Sequence, residues 1–374
     1  MSIKYIGSKR RLVPVIAAMA EASGAKSALD LFTGTTRVAR ALKAAGAHVT
    51  AVDSASYSHV FAEAYIATDA RDVDRAEPGR IIDRLNALEG REGYVTEVFC
   101  RTARYFHPDN GRRIDAIRHE IDEVAPPAAD GPLACGGPAA SGSMRALLLT
   151  SLLEAADRVD STTGLQMAYL KDWAPRALRP IRLELPQLLA GRGTALAGDA
   201  VEVCPDLPEV DLAYLDPPYN QHRYFTNYHV WETLVRWDAP PHYGIACKRL
   251  DSRDASTASR FNRKREMPSA LASVVSSTRA RLMLLSYNDE SFLGLSDLVG
   301  MCSGRGAVDV LKFDSKRYVG ARIGIHSPSG ERVGKVGRLR NEEWLVVSGE
   351  PDLVERAVRA VREPLGATLA SVSR

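Results

Sequence analysis

The sequence has no apolar run approaching the ~18 residues that cross a bilayer as a helix, and its start, Met1-Ser2-Ile3-Lys4, has no apolar signal core. A cytoplasmic protein without a membrane anchor is expected. Cysteines are few: Cys100, Cys135, Cys204, Cys247 and Cys302 are odd in number, widely spaced and without metal-type pairing. That fits a reducing compartment rather than a disulfide framework. Neither His222 nor His229 has a cysteine or an acid at ligand spacing, so no metal is expected. Net charge is only +3 over 374 residues, so a surface for nucleic acid must be a local patch. The dinucleotide fingerprint Gly-x-Gly-x-x-Gly is absent too, which disfavours a nicotinamide-dependent oxidoreductase. What is present is 45% apolar and 25% charged residues, the balance of a globular chain with a sizeable core and more than one ordinary domain's length.

Strands and helices alternate at both ends of the sequence. Residues 9–22 read as a basic start running into a helix, with Pro14 in its first turn or kinking it, 27–32 as a strand, 37–45 as a helix stopped by Gly46, and 47–52 as a second strand ending at Asp53. Strand patterns return at 194–197, 210–215 and 281–286, β-type alternation with glycine turns at 305–348, and a last helix at 352–362. Between them, 70–180 is rich in mixed charge. It contains helical stretches at 80–89, 110–124 and 144–159 and a Pro/Gly/Ala loop from Pro126 to Gly142. The expected architecture is α/β: a mostly parallel sheet contributed by residues 1–69 and 180–374, interrupted by a largely helical insertion at 70–179.

The densest chemical signal is Asp216-Pro217-Pro218-Tyr219, directly after the apolar strand 210–215. Chance alone gives this tetrapeptide in roughly one chain in several hundred of this length. The carboxyl end of a strand is where open α/β sheets bind ligands. An acid, a proline carbonyl fixed by the proline after it, and an aromatic face suit methyl transfer to a ring-conjugated amine. The amine's lone pair is delocalised into the ring, and two acceptors on its hydrogens tilt it toward a tetrahedral, nucleophilic nitrogen. The alternative is a strand-ending turn with a packed tyrosine. A second cluster lies at Asp30-Leu31-Phe32-Thr33-Gly34-Thr35, where the first strand turns into a helix, with Asp53 about 20 residues on, the usual place for a ribose-binding acid; taken alone it reads as a nucleoside site or as a well-packed βαβ turn. S-adenosylmethionine has no phosphates but carries a sulfonium and an ammonium, so Asp30 can face the ammonium. Asp199, in Gly198-Asp199-Ala200, can meet the adenine amine of that donor or serve as an ordinary helix cap.

With Lys4-Tyr5-Ile6-Gly7-Ser8-Lys9 at the start, Asp30 to Thr36, Gly198-Asp199-Ala200 and Asp216 to Tyr219 in this order, the chain resembles the Dam-like, alpha-group adenine-specific DNA methyltransferases. The resemblance spans nearly all of residues 1–348. It implies a Rossmann-like methyltransferase fold and S-adenosylmethionine as donor, without a metal. It implies that Tyr5, Ile6, Gly7 and Lys9 belong to a loop over the donor's methionine part. Asp30, Phe32, Gly34 and Thr35 would line the donor, Asp53 would hold its ribose, and Asp199 with Ala200 its adenine. Asp216, Pro217, Pro218 and Tyr219 would hold the target base, the leading aspartate favouring adenine. The 70–179 insertion would be the target-recognition segment. The family usually has a second glycine where Thr36 stands.

Two basic clusters complete the sequence. Residues 220–270 hold nine basic against five acidic side chains, interleaved with Tyr224, Phe225, Tyr228, Trp231, Tyr243 and Phe261, and 312–340 hold eight basic against two acidic. Beside a base-modifying motif they point to phosphate contacts on duplex DNA. The expected function is site-specific N6 methylation of a flipped adenine in a restriction-modification or epigenetic setting. An RNA adenine methyltransferase and a catalytically silent nucleic-acid-binding module stay open as alternatives. The sequence also leaves open the target sequence, the oligomeric state and whether a separate restriction endonuclease accompanies the enzyme.

Overall fold

The computed structural model describes residues 3–5, 9–127, 144–162, 164–219, 221, 223–316, 340–362 and 368–369. Its centre is an eight-stranded sheet. Five strands run parallel: β1 (Ser27–Leu31), β2 (His48–Asp53), β3 (Thr194–Ala197), β4 (Val210–Leu215) and β7 (Ala280–Asn288). β9 (Arg340–Gly349) pairs antiparallel with β7 and with β8 (Ala307–Lys316), and β10 (Thr368–Leu369) closes that edge. The order is β10-β8-β9-β7-β4-β1-β2-β3, so β1 and β4 are central neighbours. A separate two-stranded hairpin joins β5 (His242–Tyr243) to β6 (Lys248–Arg249).

The parallel strands are near-continuous apolar runs because both faces are covered. Leu282 to Leu285 in β7 are fully buried, as are Leu212, Ala213 and Leu215 in β4. One face packs on α1 (Val13–Ser23), α2 (Arg37–Ala44), α3 (Ser56–Ala62), α9 (His229–Arg236) and α12 (Pro351–Arg362). The other packs on α7 (Ala200–Val203), α10 (Met267–Ser277) and α11 (Leu295–Cys302). The fold is the mostly parallel α/β architecture expected from the sequence, and Pro14 does sit in the first turn of α1.

Within 70–179 lie α4 (Ala76–Ala87), α5 (Pro108–Val124) and α6 (Met144–Arg158). Between α4 and α5 the chain winds as a π-helix over Val95–Thr102, which the sequence pattern did not predict. Helix α6 is buried on nearly every side from Ala146 to Asp157. Two of its polar groups find partners inside: Tyr65 donates to Glu154 at 2.6 Å, and Ser151 donates to the Glu184 carbonyl at 2.5 Å. Ile82, Phe99, Ile117 and Leu152 belong to the same apolar core as Val49, Leu212 and Leu284 of the sheet. The Pro126–Gly142 loop and the expected glycine turns of 305–348 fall almost wholly outside the described residues.

Candidate active site

The carboxyl ends of β1 and β4 border a narrow cleft, at the strand ends where open α/β sheets bind ligands. Tyr5, Lys9, Asp30, Phe32, Gly34, Thr35 and Asp216 all line it, together with Thr33, Arg37, Val38 and Tyr214. β1 and β4 pair in register, Leu31 beside Leu215, which brings the loop after β1 and Asp216 to the same edge.

The loop after β1 is wound by three left-handed residues, Phe32 (φ 67°), Gly34 (φ 53°) and Thr36 (φ 58°). For the two non-glycines this costs roughly 1–2 kcal/mol each. Thr36 adopts the conformation that a glycine would take freely. It is fully buried, and its hydroxyl donates to the Thr35 carbonyl at 2.7 Å. A Cβ at Gly34 would meet the Tyr5 ring at 3.2 Å, so a larger residue there would push Tyr5 off this turn by a few tenths of an ångström. Tyr5 is held there by stacking on Tyr228 (4.6 Å) and Tyr224 (5.4 Å). The amides of Thr33, Gly34 and Thr36 donate to the Val52 carbonyl, the Asp53 carboxylate and the Thr33 carbonyl. They are not left pointing outward as a pyrophosphate cradle would need.

Asp30 is 1% exposed. Its Oδ2 accepts from Thr33 Oγ1 and from the Ala39 amide, both at 2.9 Å, while Oδ1 is buried without a partner. Burial pushes this carboxyl up to about 8. A buried acid with one orphaned oxygen carries a proton or takes a cation, and the ammonium of S-adenosylmethionine would fit as that cation.

Asp216 is mostly buried, and Lys9 Nζ lies 3.0 Å from its Oδ1. Burial pushes the Asp216 carboxyl up to about 6, against the pull of Lys9. Lys9 is itself buried, with its ammonium 5.6 Å above the centre of the Tyr219 ring. Tyr219 packs edge-on against Tyr287 at 5.5 Å.

Other candidate residues lie off the cleft wall. Pro217 is buried, and Pro218 and Tyr219 are half-buried. Asp53 closes β2, and its oxygens accept from the Gly34 amide (2.8 Å) and the Ala55 amide (2.9 Å). It fastens the β1 loop to β2, and a carboxylate so engaged still has lone pairs to offer. Asp199 caps α7, accepting from the Val201 amide at 2.8 Å, with Ala200 opening that helix. Ile6 and Gly7 lie outside the described residues. The sequence reading missed Arg37. Its signal was a cation in the first turn of a helix, where the macrodipole disfavours one, and such local conflicts tend to mark functional positions. Burial and the neighbouring Arg10 and Arg40 lower its pKa.

The basic stretch 220–270 divides on inspection. Arg249 is a buried strut between Asp238 (2.6 Å) and Asp251 (2.7 Å), and Arg236, Arg260 and Arg263 pair with Glu232, Glu202 and Glu266. His229 is fully buried, its Nε2 2.8 Å from the Gln166 carbonyl, and burial lowers its pKa to about 3. Most of the 312–340 cluster, and His222, lie outside the described residues. Among the described residues no group of three His, Cys, Asp or Glu converges as a metal site would, and no helix is long and apolar enough to cross a membrane.

A profile of the family described as D12 class N6 adenine-specific DNA methyltransferase matches residues 5–293. The chain is 27% identical over 327 residues to the Type II methyltransferase M.NlaIII of Neisseria lactamica, covering 84% of this chain and 92% of that one. It is 30% identical over 245 residues to the Type II methyltransferase M.CviAII of Paramecium bursaria Chlorella virus 1, covering 64% and 69%. Against the modification methylase StsI of Streptococcus sanguinis it is 27% identical over 333 residues, covering 84% of this chain and about half (49%) of that relative. No solved structure matches the chain at a significant level. The profile takes in the Asp30 turn, Asp53, Asp199 and the Asp216–Tyr219 elbow alike: the chain belongs to the D12 class N6 adenine-specific DNA methyltransferase family, an enzyme family that takes its methyl group from S-adenosylmethionine.

Proposed function

We propose that this enzyme methylates N6 of an adenine rotated out of duplex DNA, with Asp216 and the Pro217 carbonyl accepting the two amine hydrogens. The observation that supports this reading most is that Asp216 shares one cleft with Gly34 and with the unpaired oxygen of Asp30. Asp30 holds the donor's ammonium through Oδ1, Arg37 faces its carboxylate, Asp53 takes the ribose and Asp199 the adenine. Lys9 keeps Oδ1 of Asp216, so Oδ2 is the oxygen left for the target amine. Tyr219 offers its face to the base, offsetting part of the few kcal/mol that extrusion costs. S-adenosylmethionine, when bound, would supply the methyl carbon: the amine nitrogen gains it as the carbon–sulfur bond breaks, and the sulfur leaves with that electron pair as a neutral thioether. The amine becomes acidic only after transfer, and Asp216 or water then removes its proton. Most of the acceleration is alignment.

The helices of 70–179 serve as the target-recognition segment in this reading. The likeness to Type II methyltransferases and a modification methylase supports a restriction-modification setting in the cytoplasm, with a separate endonuclease as the natural partner. Labelled S-adenosylmethionine offered with duplex DNA, single-stranded DNA and RNA tests the substrate. Label entering RNA alone would reject duplex DNA. Asp216→Ala is expected to abolish methylation while donor affinity stays within a few-fold of the parent. Equal loss of both would make Asp216 a cofactor ligand instead.

A further inference from the structure

The hairpin from His242 to Arg249 contributes no residue to the cleft wall. Its strands are two residues each, joined by the turn Gly244-Ile245-Ala246-Cys247. Ile245 at the tip is 78% exposed, the most exposed large apolar side chain among the described residues. A single exposed isoleucine is ordinary. Its mounting is not. Arg249, 2% exposed, locks the base of the hairpin to Asp238 and Asp251. Tyr94 donates to the Pro240 carbonyl at 2.7 Å, and the buried Tyr105 donates to the Ala246 carbonyl at 2.9 Å. Cys247 is buried, and its amide closes the turn on the Gly244 carbonyl at 3.0 Å. The result is an apolar side chain held out on a backbone fixed on both sides.

The hairpin is also tied to the rim of the cleft. Arg223, four residues past Tyr219, donates to the Ser252 carbonyl at 3.1 Å, and the Tyr243 hydroxyl is 3.1 Å from Ser252 Oγ. The next residue, Tyr224, stacks on the Tyr5 ring that covers Gly34. Around the tip the cations are of a different kind from Arg249. Arg223, Lys248 and Arg253 carry no ion pair among the described residues, and the Arg253 guanidinium lies 3.8 Å over the Tyr243 ring. Three uncompensated cations around one projecting apolar group match a polyanion with an apolar interior. A stacked duplex opened at one base is such a partner.

We infer that Ile245 enters the duplex as a wedge, filling the gap the flipped adenine leaves, while Arg223, Lys248 and Arg253 hold the flanking phosphates. This rests on the base-flipping reading above. An extruded base leaves its neighbours unstacked and exposed to water, and an apolar side chain that takes its place recovers part of that cost.

The test uses a duplex carrying the sequence found methylated in DNA from cells that express the enzyme. It is made with the target adenine paired or mispaired, and with 2-aminopurine at the target to report unstacking. Ile245→Ala is expected to slow methylation of the paired target by roughly tenfold or more and to dim the 2-aminopurine signal. The mispaired target, already easier to extrude, should be methylated at nearly the parent rate. Ile245→Leu should behave as the parent, and donor binding should not change. A parent-like rate on the paired target, or an equal loss on paired and mispaired targets, would overturn the wedge. A parent enzyme that methylates the duplex while 2-aminopurine stays dark would overturn base flipping itself, and the wedge with it.

Discussion

Lys9 and Asp216 show what a single pair decides. In the proposed reaction the acid must be ionised to accept from the amine; burial pushes its carboxyl up to about 6, and the Lys9 ammonium 3.0 Å away pulls in the opposite direction. Turnover should therefore fall off as one proton is taken up below about pH 6. Lys9→Gln removes the downward pull, so its acidic limb should move to higher pH. A pH–rate profile of single turnovers checks both, and an unmoved limb in the variant would separate Lys9 from the titration. The acids at the strand ends were legible in the sequence because each follows an apolar run and the fold puts ligands there. The partnership of Lys9 was not, since it is a contact between distant parts of the chain made only once β4 lies beside β1. Thr36 was read as an oddity in a glycine position, and the structure gives the reason: it takes the glycine's left-handed backbone and keeps its hydroxyl on the Thr35 carbonyl.

Among elements, those buried on both faces were read well. β1, β2, β3, β4 and β7 lie within a residue or two of their expected bounds, since continuous apolar runs leave few alternatives. The hairpin of β5 and β6 escaped notice because two-residue strands carry no periodic signal and its turn lacks an Asn-Gly pair. It is specified by Arg249 and two acids that only folding brings together. The antiparallel end of the sheet turns on Gly349, which pairs with Leu282 on one side and Ala307 on the other. It has φ 146°, and a Cβ there would stand 2.1 Å from the Arg281 carbonyl oxygen. Gly349→Ala should pry β9 from β7 and cost roughly 2–4 kcal/mol, read as a lower urea midpoint. An unchanged midpoint would mean that β9 moves aside freely.

In the molecule as a whole, the amino-terminal residues 3–5 strap the insertion to the cleft. Ile3 is buried in the main core. The Lys4 ammonium bonds the Asp157 carbonyl at the end of α6 and lies 3.0 Å from Asp160, and Tyr5 lies over Gly34. Lys4→Ala should loosen Tyr5 and weaken donor binding several-fold, and because it strips a cation from the buried Asp157 and Asp160 it should also lower the melting temperature. Calorimetric titration with S-adenosylmethionine, well below the melt, measures the first and thermal unfolding the second, and unchanged donor affinity would detach this strap from the cleft. The same unity bears on how such an enzyme acquires a new target. Since Phe99, Ile117 and Leu152 share their packing with Val49 and Leu284, the stretch 70–179 is not a detachable cassette. Chimaeras that transplant it between relatives would import mismatched core shapes, so, on the proposal that 70–179 reads the target, specificity should drift through surface substitutions, one side chain at a time.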